Sequence, residues 1–344
     1  MTNDVLVSII VPVYNVELFI ERCFNSVIEQ TYKHLECLFI DDCSPDNSIK
    51  ILEHLISEYK GSIFFKIIRH EKNRGLSAAR NTGTRKAQGD YVYYLDSDDE
   101  ITPDCIEKLY ALAEKYPKVE MVIGNMSVPI HPNSPETDKR KGRDFSHFPE
   151  FSDDCDWIVR NMFDSTHGYF IPSTSVNKLA KKSFFDANNI HFMEGIIHED
   201  EKFTYDYAEC ARAISFCQDV TYIHYRNEGS IMTTLTPLTS IRAWQNILLT
   251  SFPCAKEPYL KLKLSAGLTE YVGKYLSLPK KVSILEIVLA KRVFLQAWSI
   301  ARKNGMTKIQ KACASIILLP FRLARLSKNK TKLQRLFDLR NLIS

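Results

Sequence analysis

The sequence predicts an α/β fold, a mostly parallel sheet with helices on both faces, followed by a C-terminal helical region. Three observations point there. Residues 5–11 (VLVSIIV) form a continuous β-branched run, the pattern of a strand buried on both faces. Such runs alternate with segments whose apolar residues recur at i, i+3 and i+4, the mark of amphipathic helices. The βα units also repeat at a length suited to parallel crossovers, and 344 residues can bury a substantial core.

Taken in order, residues 17–29 place Phe19, Ile20, Cys23, Phe24, Val27 and Ile28 on one helical face. A second strand at 36–40 ends in Asp41-Asp42, and a Ser-Pro-Asp-Asn turn leads into a helix at 49–59. Strand three is expected at 64–69, a helix at 76–87, and strand four at 91–95, which ends in Asp96-Ser97-Asp98-Asp99. A helix at 104–115 and a strand at 120–124 follow. Residues 126–165, with Pro129, Pro132, Pro135 and Pro149 among charged side chains, read as a long surface excursion. Order resumes at 169–179, a helix opens at the His198-Glu199-Asp200-Glu201 cluster, and strands are expected at 213–217 and 220–225. Beyond about residue 239 the pattern is helical, so the chain divides into residues 1–237 and 238–344.

Composition narrows the class. Hydrophobic residues at 45% and charged residues at 25% are ordinary for a globular protein. Nine cysteines without a CxxC pair argue against a disulfide framework or a zinc site and for reduced thiols in the cytoplasm. No stretch has the ~18 apolar residues that span a bilayer, and the N-terminus lacks a secretory pattern. The net charge of +4 hides an asymmetry: residues 301–344 carry eleven Lys or Arg against Asp338 alone (+10), which leaves −6 elsewhere.

The second and fourth strands run into acidic clusters, and ligands of open α/β sheets bind at the carboxyl ends of strands. Clustered carboxylates suit a diphosphate ligand when a divalent cation lies between them, because Mg²⁺ and Mn²⁺ bridge one or two carboxylates to phosphate oxygens. In an extended exit Asp96 and Asp98 point one way and Asp99 the other. The bland alternative is a solvated loop in which Asp99 or Asp104 caps the next helix. A carboxylate in Asp41-Asp42 could accept from a nucleobase or ribose, while Ser44, Asp46 and Asn47 could instead cap a helix. Pro12 and Tyr14 supply a rigid turn and an aromatic face for a base, although a tyrosine there is more often plain packing. Crowding in His198-Glu199-Asp200 favours a carboxylate able to take a proton from a hydroxyl nucleophile, against a capping role in a first turn.

Together these motifs resemble the inverting family-2 glycosyltransferases of the GT-A fold, of the bacterial cell-surface polysaccharide type (capsule, O-antigen, teichoic acid decoration). The resemblance is close through VSIIVPVYN, LFIDDCSPDNS, NRGLSAARNTG and GDYVYYLDSDD, and looser through SVNKLAKKSFF, HEDEKF and HYRNEGSI. It implies that Pro12, Tyr14 and Asp42 hold the donor's base and ribose, with Arg80 beside the nucleotide. It implies Asp96 and Asp98 as the metal-binding DxD pair for Mn²⁺ or Mg²⁺, with Asp99 as the ligand in some relatives. Asp200 corresponds to the catalytic base and Glu199 to a neighbour that orients the acceptor; His224, Arg226 and Ser230 match a segment over the diphosphate, with His224 a further metal candidate. No role is assigned to His198.

The implied reaction is transfer from a nucleotide diphosphate sugar, UDP-linked first and GDP-linked second, to a glycan or polyprenyl-diphosphate-linked acceptor. The basic amphipathic stretch 310–340 reads as a peripheral contact with the anionic inner face of the cytoplasmic membrane, or as an oligomer contact. Nucleic acid is disfavoured, since only Phe321 and Phe337 interleave its basic residues. Two rivals remain. A sugar nucleotidyltransferase normally has a Gly-rich loop after strand one, where this chain has Pro12-Val13-Tyr14-Asn15. A non-catalytic nucleotide-sugar-binding scaffold would have no use for a base such as Asp200.

Overall fold

The computed structural model describes residues 5–127, 130–131, 135–139, 141–163 and 171–227, together with positions 239, 240, 243, 244, 246, 247 and 250. The C-terminal helical region expected from 238 onward lies almost wholly outside these residues, as do Ser230 and the basic tail. Two compact units divide the chain: Met1–Ile158 with Thr174–Gly195 and Cys210–Ser230, and Val159–Ser173 with Ile196–Glu209 and Ile231–Ser344.

The first unit begins with β1 (Val7–Val13), α1 (Ile20–Ile28), β2 (Leu35–Asp41), α2 (Ser48–Glu58), β3 (Phe64–Arg69), α3 (Leu76–Lys86) and β4 (Tyr91–Tyr94). These are the expected elements, displaced at their ends by three residues at most. β1 and β2 are buried at every position, as their unbroken apolar runs require, whereas β3 at the sheet edge is partly exposed. β1 pairs in parallel with β2 on one side and β4 on the other, with Val7 opposite both Leu35 and Tyr91. The helical face of α1 covers the sheet through Phe24, whose ring packs against Phe39 and Phe65. α3 lies close on β1 at Gly83, where an added Cβ would come within 2.3 Å of Ile10.

After β4 come β5 (Glu100–Ile101), α4 (Cys105–Lys115), β6 (Met121–Met126), α5 (Glu136–Lys139), β7 (Phe151–Ser152), α6 (Cys155–Phe163), β8 (Lys178–Lys181), α7 (Lys182–Asn188), α8 (Glu199–Cys210) and β9 (Ile214–Ile223). Here the sheet departs from the expected pattern. β8 is inserted antiparallel between β4 and β6, giving the order β3-β2-β1-β4-β8-β6-β9-β5. The two strands expected at 213–217 and 220–225 are one, because exposed Gln218 and Asp219 form an irregularity within β9 where its register against β6 shifts. Two antiparallel steps restore direction, so β6 and β9 run the same way as β4. The end of β9 therefore reaches the sheet edge at which β1, β2 and β4 also end.

β8 is locked by a buried asparagine rather than by apolar packing alone. Asn177, 1% exposed and left-handed at φ 57°, accepts from the Tyr93 and Thr221 hydroxyls and donates to the Asn125 carbonyl. Asparagine tolerates that backbone region better than most residues. Asn177→Leu is expected to destabilise the fold by about 2–3 kcal/mol, since it strands buried polar partners. Urea unfolding would measure this as a lowered midpoint.

Candidate active site

The turns after β1 and β2 are tied together. Ser44 Oγ accepts from the Asn15 amide at 2.8 Å, Ser48 Oγ from Val16, and Asp46 Oδ2 from Glu17. Asp46 also accepts from the Ser48 amide, so this residue, and no side-chain bond from Asn47, caps α2. Asn15 and Cys43 stand in the left-handed region at φ 56° and 60°, which shapes the two tight turns. Pro12 is buried within β1, while Tyr14 is 47% exposed and presents its ring at the edge of the sheet.

Asp42 faces inward. Its Oδ1 accepts from the Arg74 amide at 2.8 Å and pairs with His70 Nδ1 at 2.7 Å; its Oδ2 accepts from the Gly75 amide at 2.6 Å. Both amides stand at the N-terminus of α3, where a carboxylate is favoured by unpaired N–H groups and the helix dipole. Gly75, at φ 88°, supplies a backbone turn that L side chains rarely adopt. His70 continues the chain of contacts to Thr82 Oγ1 at 2.9 Å, further along the same helix. Among the described residues the two amides and His70 fill three of the Asp42 carboxylate's four acceptor positions.

In the middle of α3, Arg80 is 1% exposed and donates to Asp96 Oδ1 at 2.9 Å, its guanidinium 5.3 Å from the Phe192 ring centroid. Arg80 thus reaches the expected diphosphate region through Asp96, whose carboxylate is one-third exposed. The acidic segment is not the extended exit expected from the sequence but a turn, closed by the Asp99 amide donating to the Asp96 carbonyl at 3.1 Å, so strand alternation does not set its side chains. Asp99 is buried and accepts from the Tyr222 hydroxyl (2.8 Å), the Tyr225 amide (2.8 Å) and His224 Nδ1 (3.1 Å). Neither Asp99 nor Asp104 makes a capping bond to α4. Asp98 is partly buried, with its Oδ2 accepting from Asn227 Nδ2 at 3.0 Å.

Electrostatics follow from this crowding. Burial, then the charge of Asp99, pushes the Asp98 carboxyl above the ordinary range, against Asn227 and His224. Burial likewise raises Asp99 against its hydrogen bond from His224. The bond to Asp99 raises His224 against burial, and the charges of Asp99, Asp96 and Asp98 add to the rise. A desolvated group of three carboxylates calls for a cation. Among the described residues no three His, Cys, Asp or Glu side chains form a complete ligand set for a metal. Mg²⁺ and Mn²⁺ ask for less, one or two carboxylates with phosphate oxygens and waters, and the partly exposed carboxylates of Asp96 and Asp98 fit that demand. Asp99, with its oxygens turned inward, fits a supporting place behind His224. Arg226 has an exposed side chain, and its amide donates to the Ile130 carbonyl.

The second unit carries Glu199 and Asp200, both partly buried, in the first turn of α8. His198 precedes them at φ 60°, and its carbonyl accepts from the Glu201 amide at 3.1 Å. Its Nε2 meets Ser240 Oγ at 2.7 Å, beside Trp244. Sequence reasoning passed over Arg22, His70, Tyr222 and Asn227. His70 and Arg22 sit on elements whose patterns read as ordinary strand exit and helix face, and only Asn227, inside the HYRNEGSI segment, carried a signal.

A sheet of this strand order, with acidic turns gathered at its strand ends, is a GT-A fold, and solved structures match it. S. aureus TarS 1–349, solved with UDP-GlcNAc, superposes with a TM-score of 0.64 at 20% identity, over 98% of this chain and 92% of TarS. The mannosyltransferase PcManGT from Pyrobaculum calidifontis, solved with GDP-Man and Mn²⁺, gives 0.53 at 16% identity, over 98% and 86%. Residues 8–170 match Glycosyl transferase family 2. Among its curated relatives, glycosyltransferase GlyG of Streptococcus pneumoniae is 28% identical over 67% of this chain and 73% of GlyG. The putative glycosyltransferase EpsH of Bacillus subtilis is 30% identical over 64% of this chain and 60% of EpsH.

Asp46 gives a direct test of the loop architecture. Burial raises its pKa, but hydrogen bonds from Ser48, Ser44 and Glu17 outweigh this and hold it below the usual value. Its contribution is therefore complete above the unfolded carboxylate pKa of about 3.9 and is lost as pH falls through the lower folded value. Asp46→Ala is expected to cost about 1 kcal/mol at neutral pH, and the difference from wild type should vanish in acid. Urea unfolding at several pH values would check both.

Proposed function

We propose that this glycosyltransferase transfers a sugar from a nucleotide diphosphate donor, UDP-linked first and GDP-linked second, to a carbohydrate or lipid-linked oligosaccharide acceptor in cell-surface polysaccharide biosynthesis. The observation that carries this reading is the acidic turn: Asp96 and Asp98 partly exposed, Asp99 buried against His224. Such a turn suits a diphosphate accompanied by a divalent cation, and the remaining acceptor position on Asp42 beside exposed Tyr14 suits a base and ribose. The UDP-GlcNAc and GDP-Man bound by TarS and PcManGT agree with this donor class, and Mn²⁺ accompanies the second.

In the proposed mechanism Asp200 accepts the proton of an acceptor hydroxyl as its oxygen attacks the anomeric carbon. A new C–O bond forms while the bond from that carbon to the β-phosphate oxygen breaks, and its electron pair leaves with the nucleoside diphosphate. A single displacement of this kind inverts the anomeric centre. Mn²⁺ or Mg²⁺ bound by Asp96 and Asp98 would supply Lewis-acid stabilisation of the departing diphosphate, with His224 as a further ligand candidate. Arg80 keeps Asp96 oriented, Glu199 orients the acceptor, and Arg226, with Ser230 outside the described residues, covers the diphosphate. The basic tail, also outside them, would hold the enzyme against an anionic membrane near a polyprenyl-linked acceptor. Among the described residues no helix is long and apolar enough to cross that membrane.

Asp200→Asn is expected to lower kcat about a thousandfold or more while leaving donor binding in Mn²⁺ nearly unchanged. Asp98→Ala should weaken both. Release of free UDP from UDP-sugars, followed with and without acceptor and metal, measures the first; calorimetric titration with UDP and Mn²⁺ measures the second. Wild-type turnover by Asp200→Asn would sink the base assignment, and metal-independent turnover would sink the cation.

A further inference from the structure

Arg22 lies on α1, between the two turns that carry the expected donor contacts, yet its side chain reaches the back of the acidic turn. Its Nη2 donates to the Asp98 carbonyl at 2.6 Å, and Nε lies 3.4 Å from Glu100 Oε1. Its guanidinium carbon stands only 3.7 Å from the centroid of the Tyr225 ring. Tyr225 is gripped from other sides as well. Its amide donates to Asp99 Oδ1 and its hydroxyl to Glu100 Oε2, a carboxylate that Lys139 also pairs.

One cation therefore bridges the backbone of the acidic turn and the residue after His224. The Asp98 carbonyl belongs to the peptide between Asp98 and Asp99, so pinning it fixes the orientation of the peptide that carries both carboxylates. The face contact with Tyr225 fixes the end of β9, and with it the imidazole that Asp99 holds. A guanidinium can stack on a ring while donating in its own plane; an ammonium is a point charge that cannot do both.

We propose that Arg22 is a positioning residue for the diphosphate-and-cation site, acting through the Asp98 peptide and Tyr225. This rests on the reading of Asp96 and Asp98 as that site. Pure electrostatics predicts the opposite sign: removing a nearby positive charge should tighten divalent-cation binding. The two roles are thus separable.

The test is Mn²⁺ binding to the full-length protein saturated with UDP, read from the free-Mn²⁺ electron paramagnetic resonance signal, alongside thermal unfolding of each variant. Arg22→Ala is expected to weaken Mn²⁺ binding about 10- to 100-fold, as loss of outer support does at metal sites. Arg22→Lys should fail to restore it despite keeping the charge. Tyr225→Phe, which keeps the ring, should bind like wild type, and Tyr225→Leu should bind like Arg22→Ala. Unchanged or tighter binding by Arg22→Ala overturns the proposal, as does full rescue by lysine. Should Arg22→Ala not fold, equal affinities of the two Tyr225 variants overturn it instead. Asp98→Asn separates the layers. If it binds Mn²⁺ like wild type, the underlying site reading fails; if it loses Mn²⁺ while Arg22→Ala does not, only the role of Arg22 fails.

Discussion

The buried carboxylate of Asp99 is the constraint on which the acidic turn depends. A carboxylate removed from water costs several kcal/mol unless donors surround it, and here all three donors come from the end of β9: Tyr222, His224 and Tyr225. Losing any one would leave a buried acceptor short of a partner, at roughly 1–3 kcal/mol. The same requirement therefore docks the end of β9 against the turn that follows β4, and the segment it brings there also supplies Asn227 to Asp98.

That arrangement is possible only because of strand direction. β9 must end at the same sheet edge as β4, although several elements of chain and a change of sheet polarity lie between them. The antiparallel insertion of β8 supplies one reversal and β6 supplies the other. Asn177 then fastens β8 to its surroundings by bonds to Tyr93, Asn125 and Thr221, one each on or beside β4, β6 and β9. A polar residue at this crossing specifies register more sharply than apolar packing would, because a slip would leave several buried groups unpaired.

The first half of the sheet was legible in the sequence because its signals are local. Runs of buried strand residues, amphipathic spacing and acidic strand exits all lie within a few neighbouring residues of one another. β8 was not legible: Lys178-Leu179-Ala180-Lys181 is short, and its charged ends resemble a helix surface as much as a strand. β9 was split in two because Gln218-Asp219 looks like a turn, whereas it is an irregularity inside one strand. The burial of Asp99 could not be read from alternation, because residues 96–99 close into a turn instead of continuing β4. The inward turn of Asp42 could not be read either, because two of its partners are main-chain amides some thirty residues away, and an amide leaves no trace in residue type.

α3 joins the two halves of the site. Its N-terminus grips Asp42, Thr82 steadies the His70 that bonds the same carboxylate, and Arg80 reaches Asp96 from a buried position. These contacts demand that the helix sit close to the sheet, and Gly83 against Ile10 grants that approach. The distance between the base-side carboxylate and the acidic turn is then set by a rigid helix rather than by loops. A side chain at position 83 would lift α3 and disturb the Asp42 and Asp96 contacts together, whereas a change in either turn would disturb one. The segment NRGLSAARNTG thus acts as a spacer between the two acidic turns as well as a source of contacts, which explains why its small residues matter as much as its charged ones.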